Sequence, residues 1–175
     1  MTKPDIAKAI YKTAHLTGEF KLRSGQISNE YFDKYLFEAQ PSLLKKIAVA
    51  MRDLIPTDTE VLAGLEMGAI SVVTALSLES GIPAAFVRKK AKEYGTRKLA
   101  EGAGIENKKV CVVEDVVTTG GQVIESVSEL RALGAYIGSV LCVIQRNAEA
   151  SAILNKHGLK CIPLLTMDYI LNNLS

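Results

Sequence analysis

The sequence predicts an α/β fold in which helices flank a parallel sheet. Predicted strands and helices alternate from residue 42 onward, and the strongest candidate strands, residues 110–113 and 137–144, are uninterrupted apolar runs. Alternation of this kind is typical of domains built from βαβ units. Apolar runs without polar alternation indicate strands buried on both faces, which is their position when helices cover both sides of a parallel sheet.

The first forty residues do not follow this alternation. Apolar residues recur at helical spacing over residues 4–16, so a helix is predicted there. Residues 19–22 and 31–37 are predicted as short strands on either side of a turn at Ser24 and Gly25. Composition alone gives this hairpin no function.

In the alternating part, apolar spacing predicts the helices, and glycine or proline ends most of them. The helix over residues 42–55 is strongly amphipathic and ends at Pro56, and Asn147 is predicted to cap the helix over residues 148–157. The predicted helices cover residues 42–55, 68–80, 121–133 and 148–157, with a last one beginning at Asp168, and the predicted strands cover residues 61–63, 84–87, 110–113, 137–144 and 160–165.

Residues 110–126, VCVVEDVVTTGGQVIES, carry the most informative pattern of the chain. A buried strand leads to two adjacent acids, Glu114 and Asp115, and a loop with two threonines and two glycines then opens a helix. Backbone N–H groups at such a helix start hold a phosphate, helped by the helix dipole. The carboxylates suit either the hydroxyls of a sugar or a hydrated Mg²⁺. Neither a P-loop nor a dinucleotide fingerprint is present.

Several candidate segments fall at the carboxyl ends of predicted strands. They are the acidic pair, the glycine-flanked loop over residues 64–68, Arg88 with Lys89, and Gln145 with Arg146. Ligands of α/β sheets bind beyond these strand ends. The glycine loop alone is a weak signal, but the convergence predicts one binding site at this edge.

Residues 88–107 are predicted as a long charged loop, and residues 88–98 hold six positive side chains and one acid. A solvated loop and a nucleic-acid patch are the alternatives, but no aromatic interleaving supports the second. Beside a phosphate site, a mobile basic loop would stabilise the charge on a departing pyrophosphate and exclude water.

Composition limits the class of protein. With 175 residues, 48% hydrophobic and 23% charged, the chain is expected to form one soluble domain. A net charge of +2 gives no argument for a nucleic-acid partner. The longest uncharged run, residues 132–145, is too short to span a bilayer, and the charged N-terminus is unlike a secretory signal, so a cytoplasmic location is expected. The cysteines lie in apolar runs and are expected to pack in the core.

Taken together, these motifs resemble those of a known family. Four hydrophobic residues, two acids, two hydrophobic residues and Thr-Thr-Gly-Gly closely resemble the motif with which type I phosphoribosyltransferases bind 5-phospho-α-D-ribosyl 1-diphosphate (PRPP). The signature FKLRSG-x-x-S before an aromatic pair, the loop pattern Arg88-Lys89-x-x-Lys92-x-x-Gly95 and the position of Arg146 are similar to those of orotate phosphoribosyltransferases.

This resemblance spans most of the chain and implies its architecture. The fold would be the Rossmann-like parallel sheet of type I phosphoribosyltransferases with a small N-terminal hood, as a single domain over residues 1–175. The hood would comprise mainly residues 1–40 plus the C-terminal end, the core about residues 42–165, and a mobile loop about residues 89–107.

The resemblance also implies residue roles. Lys92, Asp115 and Glu114 would be catalytic, with the two acids holding the ribose hydroxyls. The PRPP-binding residues would be Arg88, Lys89, Lys92, Tyr94, Glu114, Asp115, Val116, Val117, Thr118, Thr119, Gly120, Gly121 and Gln122. The orotate-binding residues would be Thr118, Arg146, Arg23, Tyr31 and Phe32, although the residues alone slightly favour packing for the cluster of Arg23 with the aromatic pair.

Two positions depart from the family pattern. Tyr94 stands where a histidine is common; a phenol donates a hydrogen bond but supplies no positive charge. Arg23 stands where a lysine is common, and arginine still binds a carboxylate, with bidentate geometry.

The implied enzyme is a glycosyltransferase of pyrimidine biosynthesis that joins orotate to PRPP, giving orotidine 5′-monophosphate and pyrophosphate. Mg²⁺ would arrive chelated by PRPP, with no protein metal site, and the chain would be a homodimer whose basic loop reaches across the interface. The alternatives are another type I enzyme, acting on a purine or uracil, and a non-catalytic PRPP-sensing regulator. The FKLRSG segment argues against the first, and the roughly 18 residues before it leave little room for the helix-turn-helix that the second needs.

Overall fold

The computed structural model of the chain describes residues 2–22, 25–90 and 98–174. The helices are α1 (Lys3–Ala14), α2 (Lys34–Glu38), α3 (Pro41–Arg52), α4 (Gly68–Ser80), α5 (Gly121–Ala132), α6 (Glu149–Lys156) and α7 (Met167–Asn172). The strands are β1 (His15–Lys21), β2 (Ile27–Phe32), β3 (Val61–Leu65), β4 (Ala84–Val87), β5 (Ala100–Gly102), β6 (Lys109–Val117), β7 (Tyr136–Gln145) and β8 (Lys160–Thr166).

A six-stranded sheet in the order β5-β4-β3-β6-β7-β8 forms the centre of the molecule. All neighbouring strands are parallel except β5, which pairs antiparallel with β4 at the edge. The predicted α/β fold is therefore confirmed. The loop prediction for residues 88–107 is wrong at residues 100–102, because these residues pair with the otherwise open edge of β4.

Strand β6 shows why an uninterrupted apolar run predicts a sheet with two covered faces. Val110 and Val112 pack with α5 and α6, whereas Cys111 and Val113 pack on the opposite face with α1, α3 and α4. All four side chains are at most 4% exposed. Alternate residues of one strand thus enter two separate apolar clusters, and the sheet lies between them.

The N-terminal hairpin forms a separate two-stranded antiparallel sheet, β1-β2. The predicted strand over residues 31–37 is wrong from residue 33 onward, because β2 ends at Phe32 and α2 follows. Asp33 caps this helix by accepting a hydrogen bond from the Tyr35 N–H at 3.0 Å, and Phe37 is fully buried in the core. The cap and this tertiary contact outweigh the strand preference of the aromatic residues. The division into hood and core stays a prediction.

The remaining boundaries differ from prediction by up to four residues. β1 begins at His15 rather than at residue 19, and β6 continues to Val117 rather than ending at residue 113, so the acidic pair lies inside the strand. α1 begins with a capping box between Thr2 and Asp5 and ends at Ala14, because β1 already begins at the next residue. The Asn147 side chain accepts a hydrogen bond from the Glu149 N–H at 3.0 Å, so it supports the start of α6, although the helix begins later than predicted. Within the described ranges, no helix has the length and apolar character needed to cross a bilayer.

Candidate active site

A cavity of about 350 Å³ opens at the carboxyl ends of β3, β4 and β6. It brings together three of the segments predicted to converge: the acidic pair, the glycine-flanked loop and Lys89. Its described lining consists of Lys34, Tyr35, Glu66, Met67, Gly68, Lys89 and residues 114–123. Gln145 lies at the same edge, in register with Val117, but outside this lining.

One wall of the cavity is the start of α5. Gly120 adopts the left-handed conformation (φ 84°), and α5 begins at Gly121. Because the first N–H groups of a helix have no partner inside it, the amides of Gly121, Gln122 and Val123 form an anion-binding position. A Cβ at Gly120 would also approach the Leu154 side chain to 3.1 Å, so both the turn and its packing require glycine. Thr118, which is exposed, adds a hydroxyl.

The opposite wall is the loop between β3 and α4. The Glu66–Met67 peptide bond in this loop is cis. The Glu66 carboxylate accepts a hydrogen bond from the Lys89 N–H at 2.6 Å, which ties the loop to the end of β4. A Cβ on Gly68 would overlap the Asp115 carboxylate, so this glycine allows the helix start to lie directly against the acid. The glycine-flanked loop is only a weak indication of a site in the sequence, but its Gly68 is required by the close contact with Asp115.

The floor of the cavity holds the predicted acidic pair and two side chains of α2. Asp115 is fully buried; its Oδ1 accepts a hydrogen bond from the Val116 N–H at 2.6 Å, and its Oδ2 lies 2.6 Å from the Lys34 Nζ. Glu114 Oε1 accepts a hydrogen bond from the Asp115 N–H at 3.0 Å. Glu38, one helical turn after Lys34, is 8% exposed and lies beside the same acid.

Burial and the contacts among these carboxyl groups shift their pKa values in different directions. Burial, reinforced by Asp115, raises the pKa of Glu38 to about 8 and raises the pKa of Glu114 well above its usual range. Burial also opposes ionisation of Asp115, but hydrogen bonds from Glu114 and Lys34 outweigh it, so the pKa of Asp115 is lowered.

Burial and hydrogen bonding also have opposite effects on the pKa of Lys34. Burial disfavours its charge, yet the hydrogen bond with Asp115 outweighs burial and raises the pKa of Lys34. In the ligand-free site these effects favour an ionised Asp115 paired with a charged Lys34, and they disfavour ionisation of Glu38 and Glu114.

Two other predicted site residues, Arg88 and Arg146, lie outside the described lining of this cavity. Arg88 is half-buried with its Nε 3.8 Å from Glu101 Oε1, so its side chain points toward β5. Arg146 is exposed, and its N–H donates to the Val117 carbonyl at 2.8 Å, which fixes its backbone next to the predicted phosphate loop. The roles of both residues stay predictions.

The predicted aromatic pair belongs to the N-terminal hairpin. Tyr31 is 43% exposed and stacks on Phe20 with ring centroids 5.4 Å apart. Phe32 is half-buried against the core. Neither ring is in the described lining of the cavity, and a contact with orotate stays a prediction. Arg23, Lys92 and Tyr94, also predicted as site residues, lie outside the described residues.

Sequence reasoning missed Lys34 and Glu38, which contact the predicted acid directly. In the helix the two side chains lie one turn apart on the same face, so both reach Asp115. An extended strand such as the one predicted for residues 31–37 would instead separate them along its length. The signal that identifies the helix is Asp33, whose side chain caps it.

Comparison with known proteins identifies the family of the chain. The Phosphoribosyl transferase domain family matches residues 37–172. An orotate phosphoribosyltransferase of Nocardioides sp. is 48% identical over 161 residues, which cover 92% of this chain and 90% of that protein. An orotate phosphoribosyltransferase of Halobacterium salinarum is 40% identical over 155 residues, covering 89% of this chain and 88% of that protein.

Solved structures agree as well. The crystal structure of Mycobacterium tuberculosis orotate phosphoribosyltransferase in complex with Fe(III) dicitrate has a TM-score of 0.87 and 29% identity, covering 96% of this chain and 98% of that chain. The same enzyme in complex with PRPP has a TM-score of 0.82 and 26% identity, with the same coverage of 96% and 98%.

Proposed function

The chain belongs to the orotate phosphoribosyltransferases of the phosphoribosyltransferase family, and from this premise we propose how its own residues transfer the phosphoribosyl group of PRPP to orotate. The products are orotidine 5′-monophosphate and pyrophosphate, a step of pyrimidine biosynthesis. One observation carries the assignment: Asp115, fully buried and paired with Lys34, lies in the same cavity as the first-turn amides of α5. No observation on the described residues favours a purine or uracil enzyme, or a non-catalytic regulator.

The donor is held at two ends. Glu114 and Asp115 accept hydrogen bonds from the ribose hydroxyls, and residues 116–122 surround the 5′-phosphate with amides and threonine hydroxyls. The two acids and the phosphate-binding residues belong to one strand and the loop that follows it, so the distance between them is fixed. The ribose is held between these two groups. Positioning of this kind supplies much of the catalysis in a displacement that needs little covalent work from the protein.

The reaction breaks the bond between the anomeric carbon and the diphosphate oxygen while orotate N1 forms the new bond. Positive charge develops on the ribose ring and negative charge on the leaving diphosphate. We assign the leaving group to residues of the basic loop. Arg88, Lys89 and Lys92 stabilise it by their positive charge, and Tyr94 does so by donating a hydrogen bond. Thr118, Arg146, Arg23, Tyr31 and Phe32 are assigned to orotate, whose carboxylate suits the arginines.

The chemistry of the donor set fits a magnesium ion that enters with PRPP. Lys34 already neutralises Asp115, and no cluster of metal-ligating side chains exists among the described residues. We therefore assign the direct contacts with Mg²⁺ mainly to the diphosphate. Bound there, the ion would supply positive charge against the leaving diphosphate.

We further propose a cytoplasmic homodimer in which the basic loop serves the partner's site as well as its own. Support comes from the family resemblance and from the loop's charge, six positive residues against one acid over residues 88–98. Mixing two inactive variants, one changed at Asp115 and one at Lys92, tests the shared loop. Partial return of activity is expected if Lys92 acts across the interface, and none if each site is self-contained.

The assignment is tested by mixing the protein with orotate, PRPP and Mg²⁺ and following orotate loss together with pyrophosphate release. Orotate is expected to be consumed, and adenine, hypoxanthine, guanine and uracil are expected to be inert. Nucleotide formation from one of those bases, or no turnover with any base, would contradict the proposal.

Within this assay, Lys92→Ala is expected to lower kcat by about 100-fold or more, because a positioned cation acts on the leaving diphosphate. Lys90→Ala is the matched control, since Lys90 is an exposed neighbour with no assigned role. Equal activity of the two variants would remove Lys92 from the mechanism.

A further inference from the structure

Asp115 lines the proposed donor cavity, yet its side chain is fully buried. The Lys34 ammonium lies 2.6 Å from its Oδ2, and the Lys34 side chain is 33% exposed. Lys34 therefore lies between the acid and solvent, at the point where the ribose would approach.

α2 holds this contact in place from one helix face. Lys34 and Glu38 are one turn apart, and Glu38 Oε2 accepts a hydrogen bond from the Ser71 hydroxyl of α4 at 3.3 Å. The same hydroxyl lies 3.2 Å from the Gly68 carbonyl. α2 thus meets the end of β6, which carries the acidic pair on the floor of the cavity, and the start of α4, which follows the loop that forms one wall.

We propose that Lys34 is a positioning residue for Asp115: its ammonium keeps the buried carboxylate charged and oriented for the ribose hydroxyls of the donor. This inference deepens the proposed function and rests on it. It also links the N-terminal hairpin to donor binding, because α2 follows β2 after a single residue.

The titratable groups around Asp115 explain why the charge of Lys34 affects its ionisation. Glu114 from its own strand and Glu38 from α2 both face it, while Glu66 and Lys89 line the cavity farther along. Without the Lys34 charge, Asp115 would keep its hydrogen bond from Glu114 but lose its ion pair, so it would take up a proton at a higher pH. A protonated Asp115 is a weaker acceptor for a ribose hydroxyl.

The test compares Lys34→Gln, Lys34→Arg and the wild-type enzyme over pH 3 to 9, a range that includes the ordinary aspartate pKa of about 3.9. Lys34→Gln keeps a hydrogen-bond donor but removes the charge. We expect kcat/KM for PRPP to fall about tenfold at pH 7, because the carboxylate loses the partner that orients it, and the acidic limb of its pH profile to move up by about one pH unit, with KM for orotate changed less than twofold. Lys34→Arg is expected to keep the wild-type limb.

Lys45→Gln, an exposed lysine on α3, is the matched control and is expected to behave as wild type. Acidic limbs that coincide in wild type and Lys34→Gln would overturn the proposal, whether or not overall activity falls. So would a loss that Lys34→Arg fails to restore, since that pattern belongs to a merely structural lysine.

A second measurement needs no variant. Carbon-13 NMR titration of ligand-free wild-type protein is expected to find the Asp115 carboxyl titrating below the ordinary aspartate value of about 3.9. Titration above about 5 overturns the inference. Wild-type turnover of orotate is scored separately, so failure of the proposed function is distinguishable from failure of the role of Lys34.

Discussion

The two ends of the central sheet each carry a cavity, and the larger one is at the end without the predicted motifs. At the amino ends of the strands, a cavity of about 930 Å³ is lined by side chains such as Pro56, Lys109 and Tyr136. The cavity at the carboxyl ends has about 350 Å³. Volume alone would select the wrong end, so the distinction must come from the groups that line each cavity.

The charged groups of the two ends differ in their exposure. At the amino end, Lys109 Nζ lies 3.0 Å from Asp58 Oδ2, with the two side chains 59% and 61% exposed. At the carboxyl end, Lys34 lies 2.6 Å from an Asp115 that is 0% exposed. Exposed pairs contribute little, whereas a buried carboxylate must have partners and responds strongly to their loss. Buried charge, rather than the size of the opening, marks the functional end.

The largest expected contrast comes from adding one methyl group at each end. Gly68→Ala places a Cβ where the Asp115 carboxylate lies, so the acid or the start of α4 must move. We expect kcat/KM for PRPP to fall about 100-fold, because misplacement of a positioning group by about 1 Å has effects of that size.

Gly138→Ala is the matched control, since Gly138 lines the amino-end cavity and a Cβ there meets nothing within 4 Å. Its steady-state kinetics are expected to stay within about twofold of wild type. Similar losses in both variants would remove the contrast between the two ends.

A second contrast concerns stability against pH. The pKa of Glu38 is raised from 4.5 to about 8 by burial, so its contribution is fully present below about pH 4.5 and is lost as pH rises to about 8. Between pH 5 and 8.5, wild type is expected to lose up to a few kcal/mol relative to Glu38→Gln, which cannot ionise. Urea unfolding at a series of pH values measures this difference, and parallel stability curves would contradict the assignment.

The smallest effect is expected at the amino end. The hydrogen bond and charge of Lys109 lower the pKa of Asp58, so the contribution of Asp58 is present above about pH 3.8 and is lost as pH falls. Asp58→Asn is expected to change the melting temperature by about 2 °C or less, with the difference screened by salt, and to leave turnover unchanged. A large effect on turnover would show that the two ends are coupled.

The sequence predicted the parts of the site that are continuous in the chain. The apolar run of β6, the two acids and the glycine turn before α5 lie within residues 110–126, and each carries a local signature. The parallel sheet followed from the same apolar runs, because their alternate residues enter both covered faces.

What the sequence did not predict depends on contacts between distant segments. Gly68 is required by the carboxylate of Asp115, which follows it in the chain after all of β4 and β5 and most of β6, and nothing beside Gly68 in the chain indicates that neighbour. Lys34 and Glu38 were not predicted as site residues, because aromatic residues favoured a strand where a capped helix forms. The edge pairing of β5 likewise depends on the open side of β4.

The backbone contact between Arg146 and Val117 bears on any redesign of this scaffold for a different nucleobase. The Arg146 N–H donates to the Val117 carbonyl at 2.8 Å, and the buried Gln145 side chain donates to the Asn147 carbonyl at 3.0 Å. This backbone hydrogen bond thereby joins the segment expected to select the base to the segment expected to bind the phosphate. Engineering a new acceptor through the main chain here would disturb donor binding too, so exchanges of side chains alone are the safer route.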